Sequence, residues 1–139
     1  MREVIRARGH EHVAATHEST FEVTTDDWLT PAGDCIVGIE ADRSPADFDD
    51  DFAVACRDPA ATITLTLETA DARDEIRARG HPDLTFGSDR SAVVRTSTYV
   101  DDRTVAVGAD AAAADLDRDL VAALTDGNGL TVTLTVDGV

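Results

Sequence analysis

A hexapeptide with two arginines and a histidine occurs twice in the chain and offers the clearest binding chemistry. Ile5–His10 recurs letter for letter as Ile76–His81. On a strand, alternate residues share a face, so the arginines and the histidine of each copy would point to one side. Arginine forks bind phosphate or carboxylate through paired hydrogen bonds. We therefore predict a binding site for an anion: a nucleotide, a phosphorylated metabolite or a carboxylate. Its residues would be Arg6, Arg8, His10, Arg77, Arg79 and His81.

The same arginines also have a purely structural interpretation. The chain has 28 acidic residues and 12 basic ones, so cross-strand ion pairs can form wherever a sheet faces solvent. Exposed pairs of this kind contribute little to stability. The sequence leaves both interpretations open, and it does not decide whether the two hexapeptides meet in space.

Three of the four histidines lie within eight residues and could bind a metal. His10 and His12 would project from one side of a strand, and His17 could return on the neighbouring strand. Asp34 or Cys35 could supply a further ligand. The spacing alone leaves all three histidines as metal candidates. Their spacing matches no multi-ligand motif, and a hydrogen-bonded turn explains the same residues. The sequence therefore leaves any metal or other cofactor undetermined.

Cys35 follows a tight turn and could act as a nucleophile. His17 or His10 would then be the base, and Asp34 would orient it. The second half has aspartate followed by arginine at the matching positions, so the acid is repeated and the thiol is not. A cysteine buried behind a structural turn is the alternative. The catalytic candidates are His17, Asp34 and Cys35.

Several kinds of chemistry are excluded by the composition. The chain has no lysine, so it has no Walker A loop and no Schiff-base chemistry. It also lacks the glycine-rich dinucleotide fingerprint and the Gly-x-Ser-x-Gly elbow.

An internal duplication sets the elements that must position these residues. Three segments of the first half recur in order, at separations of 71, 68 and 69 residues. We predict one domain, residues 1–139, made of two pseudo-repeats at about 1–70 and 71–139, like a fused symmetric dimer. The oligomeric state stays open, and a homodimer is compatible with the repeat.

Each half is predicted to run strand-strand-strand-helix-strand. Alternating apolar residues and β-branched side chains indicate the strands. The predicted strands cover 4–8, 19–25, 35–41, 62–67, 75–79, 92–100, 104–109 and 130–136. The first helix would begin at Ser44-Pro45, and the second would begin after Asp110. We therefore expect a mainly β (α+β) fold, a two-sheet sandwich or partly closed barrel with two helices.

The charge points to a habitat more than to a partner. The formal net charge is −16, all twelve basic residues are arginine, and the acids are spread along the chain. At about 1 M salt the Debye length is roughly 3 Å, so repulsion between these carboxylates is screened. We expect a cytoplasmic protein of a halophile, with no signal peptide and no membrane segment. The missing basic tail disfavours nucleic acid as a partner.

Six segments of the chain resemble those of a known family. They are Arg8-Gly9-His10, Ala15-Thr16-His17, Leu29-Thr30-Pro31, Gly33-Asp34-Cys35-Ile36, Asp102-Arg103-Thr104 and Asp115-Leu116-Asp117-Arg118-Asp119-Leu120. Together they resemble the archaeal family catalogued as domain of unknown function 371, over nearly the whole chain. The resemblance implies an archaeal, mainly β, single-domain protein, here a haloarchaeal member. It implies no activity and no catalytic residues. The family usually has a residue other than histidine at the position of His12, so the resemblance favours His10 and His17 as the metal candidates.

Three functions remain in view. The leading hypothesis is a small binding protein that holds an anionic small molecule in a groove between the halves. The second is a metal-assisted or cysteine-dependent hydrolase. The third is a non-catalytic protein-interaction module with an exposed sheet or helix as its binding surface.

Overall fold

The computed structural model describes residues 1–137, which form eight strands, two α-helices and two short 3-10 turns. The strands are β1 (Arg2–Arg8), β2 (Thr20–Thr24), β3 (Ile36–Gly38), β4 (Thr62–Glu68), β5 (Arg73–Arg79), β6 (Ser91–Arg95), β7 (Thr104–Ala106) and β8 (Gly129–Asp137). The helices are α1 (Asp50–Cys56) and α2 (Arg118–Thr125). The 3-10 turns cover Pro45–Asp47 and Ala113–Asp115. Each half has the predicted order of strands and helix.

The strands form two four-stranded sheets packed as a sandwich, which confirms the mainly β fold. Sheet A has the order β1-β8-β4-β5 and is antiparallel throughout. Sheet B has the order β3-β2-β6-β7, and its two outer pairs are parallel. Isolated bridges join the sheets at their edges, between Arg8 and Ile39 and between Arg79 and Val107. The sandwich is not closed into a barrel.

The two halves exchange strands across an internal two-fold axis. β1 of the first half pairs with β8 of the second, and β5 of the second half pairs with β4 of the first. In sheet A the axis passes between Thr66 and Thr133, and in sheet B between Glu22 and Val93, because these pairs map onto themselves when the halves are exchanged. The edge strand that each half contributes to sheet A is therefore hydrogen-bonded to a strand of the other half.

Strand register corrects one detail of the sequence repeat. Letter matching aligns Thr62 with Thr131, 69 positions away. In the sheet, Arg79 pairs with Thr62 and its equivalent Arg8 pairs with Gly129, 67 positions after Thr62. A two-residue shift keeps every side chain on its face, so the alternating pattern alone does not fix the register.

Alternate residues of the strands fill an apolar core between the sheets. In β4, Ile63, Leu65 and Leu67 point inward and are at most 1% exposed. Burying each such side chain stabilises the fold by about 1.5 to 3 kcal/mol. The threonines between them face outward, so the outer surface of sheet A is polar.

The first helix departs from the prediction at its start. Ser44-Pro45 opens only a single 3-10 turn, and Phe48 then takes extended backbone with ψ of 148°. That bend turns the Phe48 ring into the core, 5.6 Å from the ring of Phe52 in an edge-on arrangement. The α-helix begins two residues later at Asp50, with the carboxylate of Asp49 as its N-cap.

Candidate functional site

The two arginine-bearing hexapeptides lie at opposite edges of sheet A, because β1 and β5 are its edge strands. Three strand spacings separate them, roughly 14 Å. The hexapeptides therefore do not meet. Arg6 and Arg8 nevertheless project from the same outer face of the sheet as Arg77 and Arg79, since all four pair with outward-facing positions.

The glycine of each hexapeptide makes room for the end of a helix from the other half. A Cβ on Gly9 would lie 1.9 Å from the carbonyl oxygen of Leu124 in α2. A Cβ on Gly80 would lie 2.2 Å from the carbonyl oxygen of Cys56 in α1. No larger residue fits at either position while the helices stay in place, so both glycines are needed by the fold.

The histidines close tight turns with a ring nitrogen. Nδ1 of His10 and of His81 accepts a hydrogen bond at 3.0 Å from the backbone N–H two residues later. Nδ1 of His17 accepts from the N–H groups of Ser19 and Thr20, at 3.2 and 3.1 Å. A backbone N–H only donates, so Nδ1 is the acceptor in each of these turns. A metal bound through Nδ1 would have to displace these hydrogen bonds.

The two metal candidates therefore stand apart from any ion-binding cluster. Within residues 1–137, no three His, Cys, Asp or Glu side chains are grouped so that they could hold a metal ion. His10 instead stacks on His12, with ring centroids 5.1 Å apart. His17 lies in the loop before β2, and its ring nitrogen is used by that loop.

The catalytic candidates are joined through the backbone. The N–H groups of Thr16 and His17 donate to the carbonyl oxygen of Asp34, at 3.1 and 3.3 Å. Burial, reinforced by the negative charges of Glu22 and Asp34, raises the pKa of the Cys35 thiol. A cysteine nucleophile needs the opposite shift, because the thiolate is the reactive form. The two backbone hydrogen bonds anchor the loop before β2 to the loop before β3.

Six of the twelve arginines lie on the outer face of sheet A, which we call the arginine face. Three come from β1 and three from β5, so they form two rows along the edges of the sheet. They are Arg2, Arg6, Arg8, Arg73, Arg77 and Arg79. Outward-facing threonines of β4 and β8 cover the centre of the face between the two rows. They are Thr62, Thr64, Thr66, Thr131, Thr133 and Thr135.

The arginines without partners all belong to this face. Eight of the twelve make an ion pair or a side-chain hydrogen bond within residues 1–137, among them Arg8, which is bonded to Glu40. The other four make neither. They are Arg2, Arg6, Arg77 and Arg79. The sequence analysis missed Arg2, although it falls in the same period-two pattern as Arg6.

A depression of about 470 Å³ lies at one corner of the arginine face. Arg6, Thr131 and Glu68 line it, in that order across β1, β8 and β4. Gly129 lines it too and leaves space, because nothing lies within 4 Å of the position its Cβ would take. The depression therefore combines a free guanidinium, a hydroxyl and a carboxylate around an open volume.

The fold and this surface define a duplicated β-sandwich that carries an open, arginine-edged sheet face on an acidic protein. The chain belongs to the family described as Domain of unknown function (DUF371), whose model matches residues 5–137. An uncharacterised protein of Methanocaldococcus jannaschii is 39% identical over 127 residues, which cover 91% of this chain and 93% of the relative. Both findings agree with the archaeal family that the sequence motifs resemble. No helix within residues 1–137 is both long and apolar enough to cross a membrane.

Proposed function

We propose that the protein binds a small phosphorylated ligand in the depression beside Arg6 on the arginine face. The proposal is carried by one observation: every arginine side chain without a partner among residues 1–137 lies on this face. In a chain with 28 acidic residues, carboxylates are available to most guanidinium groups. A guanidinium without one keeps its five donors free for an anion.

The dimensions of the depression favour a small molecule over a polymer. Its volume of about 470 Å³ is in the range of ordinary ligand sites. The Arg6 fork would bind two oxygens of one phosphate, and the Thr131 hydroxyl would donate to a third. Arg77 lies at the other edge, three strand spacings across and four residues further along, roughly 20 Å from Arg6. It is too far away to share that phosphate and contributes only to the field of the face.

Glu68 narrows the class of ligand. Its carboxylate lines the depression together with Arg6. It would repel a second carboxylate on the ligand and would accept hydrogen bonds from hydroxyl groups. This favours a sugar phosphate or a nucleotide over a dicarboxylate or tricarboxylate.

Isothermal titration calorimetry with ribose 5-phosphate, at constant KCl, tests the proposal. Arg6→Ala should weaken binding about tenfold or more, because it removes charge-assisted hydrogen bonds. Arg77→Ala is the matched control, since it removes the same charge from the same face but from the other edge. It should weaken binding by less than about threefold, through the lost field alone.

Two further titrations test the contributions of the phosphate group and the sugar separately. Inorganic phosphate should bind weakly and with the same dependence on Arg6, and free ribose should not bind measurably. Equal affinity in Arg6→Ala and the unaltered protein, or no heat with any phosphorylated probe including AMP, would contradict the proposed function.

We also infer that the protein works in a cytosol with molar salt, and we propose a haloarchaeal source. The net charge of −16 supports this, because surface repulsion is screened only at high ionic strength. The free energy of unfolding should then rise between about 0.1 M and about 2 M KCl. A constant or falling value over that interval would refute this inference.

A further inference from the structure

A second cavity lies on the outer face of sheet B, to one side of the two-fold axis and reaching it at Glu22, and we call it the axial groove. Its volume is about 400 Å³. The first half contributes Glu22 and Trp28 to its lining, and the second half contributes Arg90 and Arg103. None of these residues belongs to the arginine face, so an inference about the groove does not rest on the proposed function.

Trp28 presents an open aromatic ring at this groove. It is the only tryptophan of the chain, and the residue is 56% exposed. Its counterpart in the second half is Tyr99, whose ring is covered by the guanidinium of Arg95 at 4.9 Å from the ring centroid. The first half has Thr24 at the position of Arg95, and Thr24 is buried and too short to cover a ring. Among residues 1–137, no arginine lies over the indole.

Glu22 is the most buried of the four carboxylates in the groove. It lies on the two-fold axis with only 13% of its side chain exposed. Burial raises the pKa of its carboxyl group, although Arg103 opposes that shift. The nearest nitrogen of Arg103 is 3.9 Å away, beyond hydrogen-bond distance. Arg103 donates to Asp101 at 3.0 Å instead, and Arg90 makes a bidentate pair with Asp26 at 2.6 to 3.0 Å.

The charge of the lining favours a cation. Both arginines of the groove already hold carboxylates, so neither is free for an anion. Acidic residues outnumber them in the lining. These acids are Glu22, Asp26, Asp89 and Asp102.

We propose that the axial groove binds an organic ammonium ion, held between the indole face of Trp28 and the carboxylate of Glu22. Tryptophan is the best aromatic partner for a cation, and such contacts strengthen when the cation is desolvated. The carboxylate of Glu22 supplies the opposite charge at low exposure, where ion pairs are screened less than at the surface. The volume admits a compact quaternary or primary ammonium ion with a short substituent.

Trp28 is also the reporter for the test, because its fluorescence has no contribution from another tryptophan. Tetramethylammonium chloride is titrated into the whole protein at constant ionic strength, and tert-butanol serves as its uncharged analogue. We expect a saturable change in the emission of Trp28 with tetramethylammonium and none with tert-butanol. Glu22→Gln should weaken tetramethylammonium binding about tenfold. Glu75→Gln removes the same charge from sheet A and should leave the affinity unchanged.

Two results would overturn the proposal. One is equal affinity in Glu22→Gln and Glu75→Gln, which would mean that the carboxylate on the axis makes no specific contact. The other is a linear or absent response to tetramethylammonium, or the same response to tert-butanol. A thermal melt of each variant excludes unfolding as the cause. Binding to Trp28→Leu is measured by the rise in melting temperature that tetramethylammonium produces, and this variant should show no such rise.

Discussion

Replacing Gly9 with alanine is the most direct test of the interlocked architecture. The added Cβ would lie 1.9 Å from the carbonyl oxygen of Leu124, and real Cβ atoms essentially never come within 3.0 Å of such an atom. The backbone must therefore move by roughly 1 Å, and the expected cost is about 3 kcal/mol, at the upper end for overpacking because the obstacle is main chain. In a chain of this length that corresponds to a melting temperature lower by about 10 °C. Thermal and urea unfolding in KCl measure both quantities.

Two other glycines make this prediction specific. Gly80→Ala should cost about as much as Gly9→Ala, because its Cβ would meet the carbonyl oxygen of Cys56 at 2.2 Å. Gly129→Ala should change stability by less than about 0.5 kcal/mol, since nothing lies within 4 Å of its Cβ position. A Gly9→Ala protein within about 1 kcal/mol of the unaltered chain would refute the close contact with α2 and the reason given for the repeated glycine.

Three further predictions concern charge, the thiol and the duplication. Burial would raise the pKa of Asp101, but hydrogen bonds from arginine, threonine and backbone groups outweigh it and lower that pKa to about 2. Its stabilisation is therefore present above about pH 4 and is lost as pH falls through about 2. Asp101→Asn should cost about 1 kcal/mol at neutral pH and clearly less at pH 2, while Asp102→Asn costs little at either pH. Alkylation of Cys35 by iodoacetamide, followed by mass spectrometry, should be slower at neutral pH than that of free cysteine, and a faster reaction would support Cys35 as a nucleophile. Fragments 1–70 and 71–139 should each show little β-sheet circular dichroism alone and gain it on mixing, because every strand pairing in sheet A joins one half to the other. A fully folded isolated fragment would contradict the strand exchange.

The sequence predicts the order of the elements well because their signals are local. In β4, for example, apolar residues alternate with threonines in the sequence, and the same residues alternate between buried and outward-facing positions in the sheet. Strand ends are less well predicted, because distant contacts set them. The third strand was expected at 35–41 but ends at Gly38, and Glu40 just beyond has a left-handed φ of 54° that a regular strand does not allow.

The site is less predictable than the fold, because a face of a sheet depends on which strands become neighbours. Arg6 and Arg77 have identical flanking residues in the sequence. Nothing in that sequence reveals that β1 and β5 lie at opposite edges of sheet A. The sequence also does not reveal that Arg8 forms an ion pair with Glu40. The equivalent of Glu40 in the second half is Gly108, so the side chain of Arg79 packs against a glycine and has no carboxylate there. The carboxylate that pairs with an arginine and the strand that lies beside it are both set by contacts between residues far apart in the sequence. Both decide whether the arginine is free to bind a ligand.

The duplication itself separates structural positions from positions that can acquire a function. The identical pairs Gly9 and Gly80, and His10 and His81, perform the same task in both halves, against a helix end and in a turn. Their identity is explained by the two-fold axis, because each half must present the same contact to the other. On the axis in sheet B the symmetry fails, since Glu22 faces Val93. The second half has Val93 in place of Glu22 and the arginine-covered Tyr99 in place of Trp28, so the proposed cation-binding arrangement occurs once and not twice.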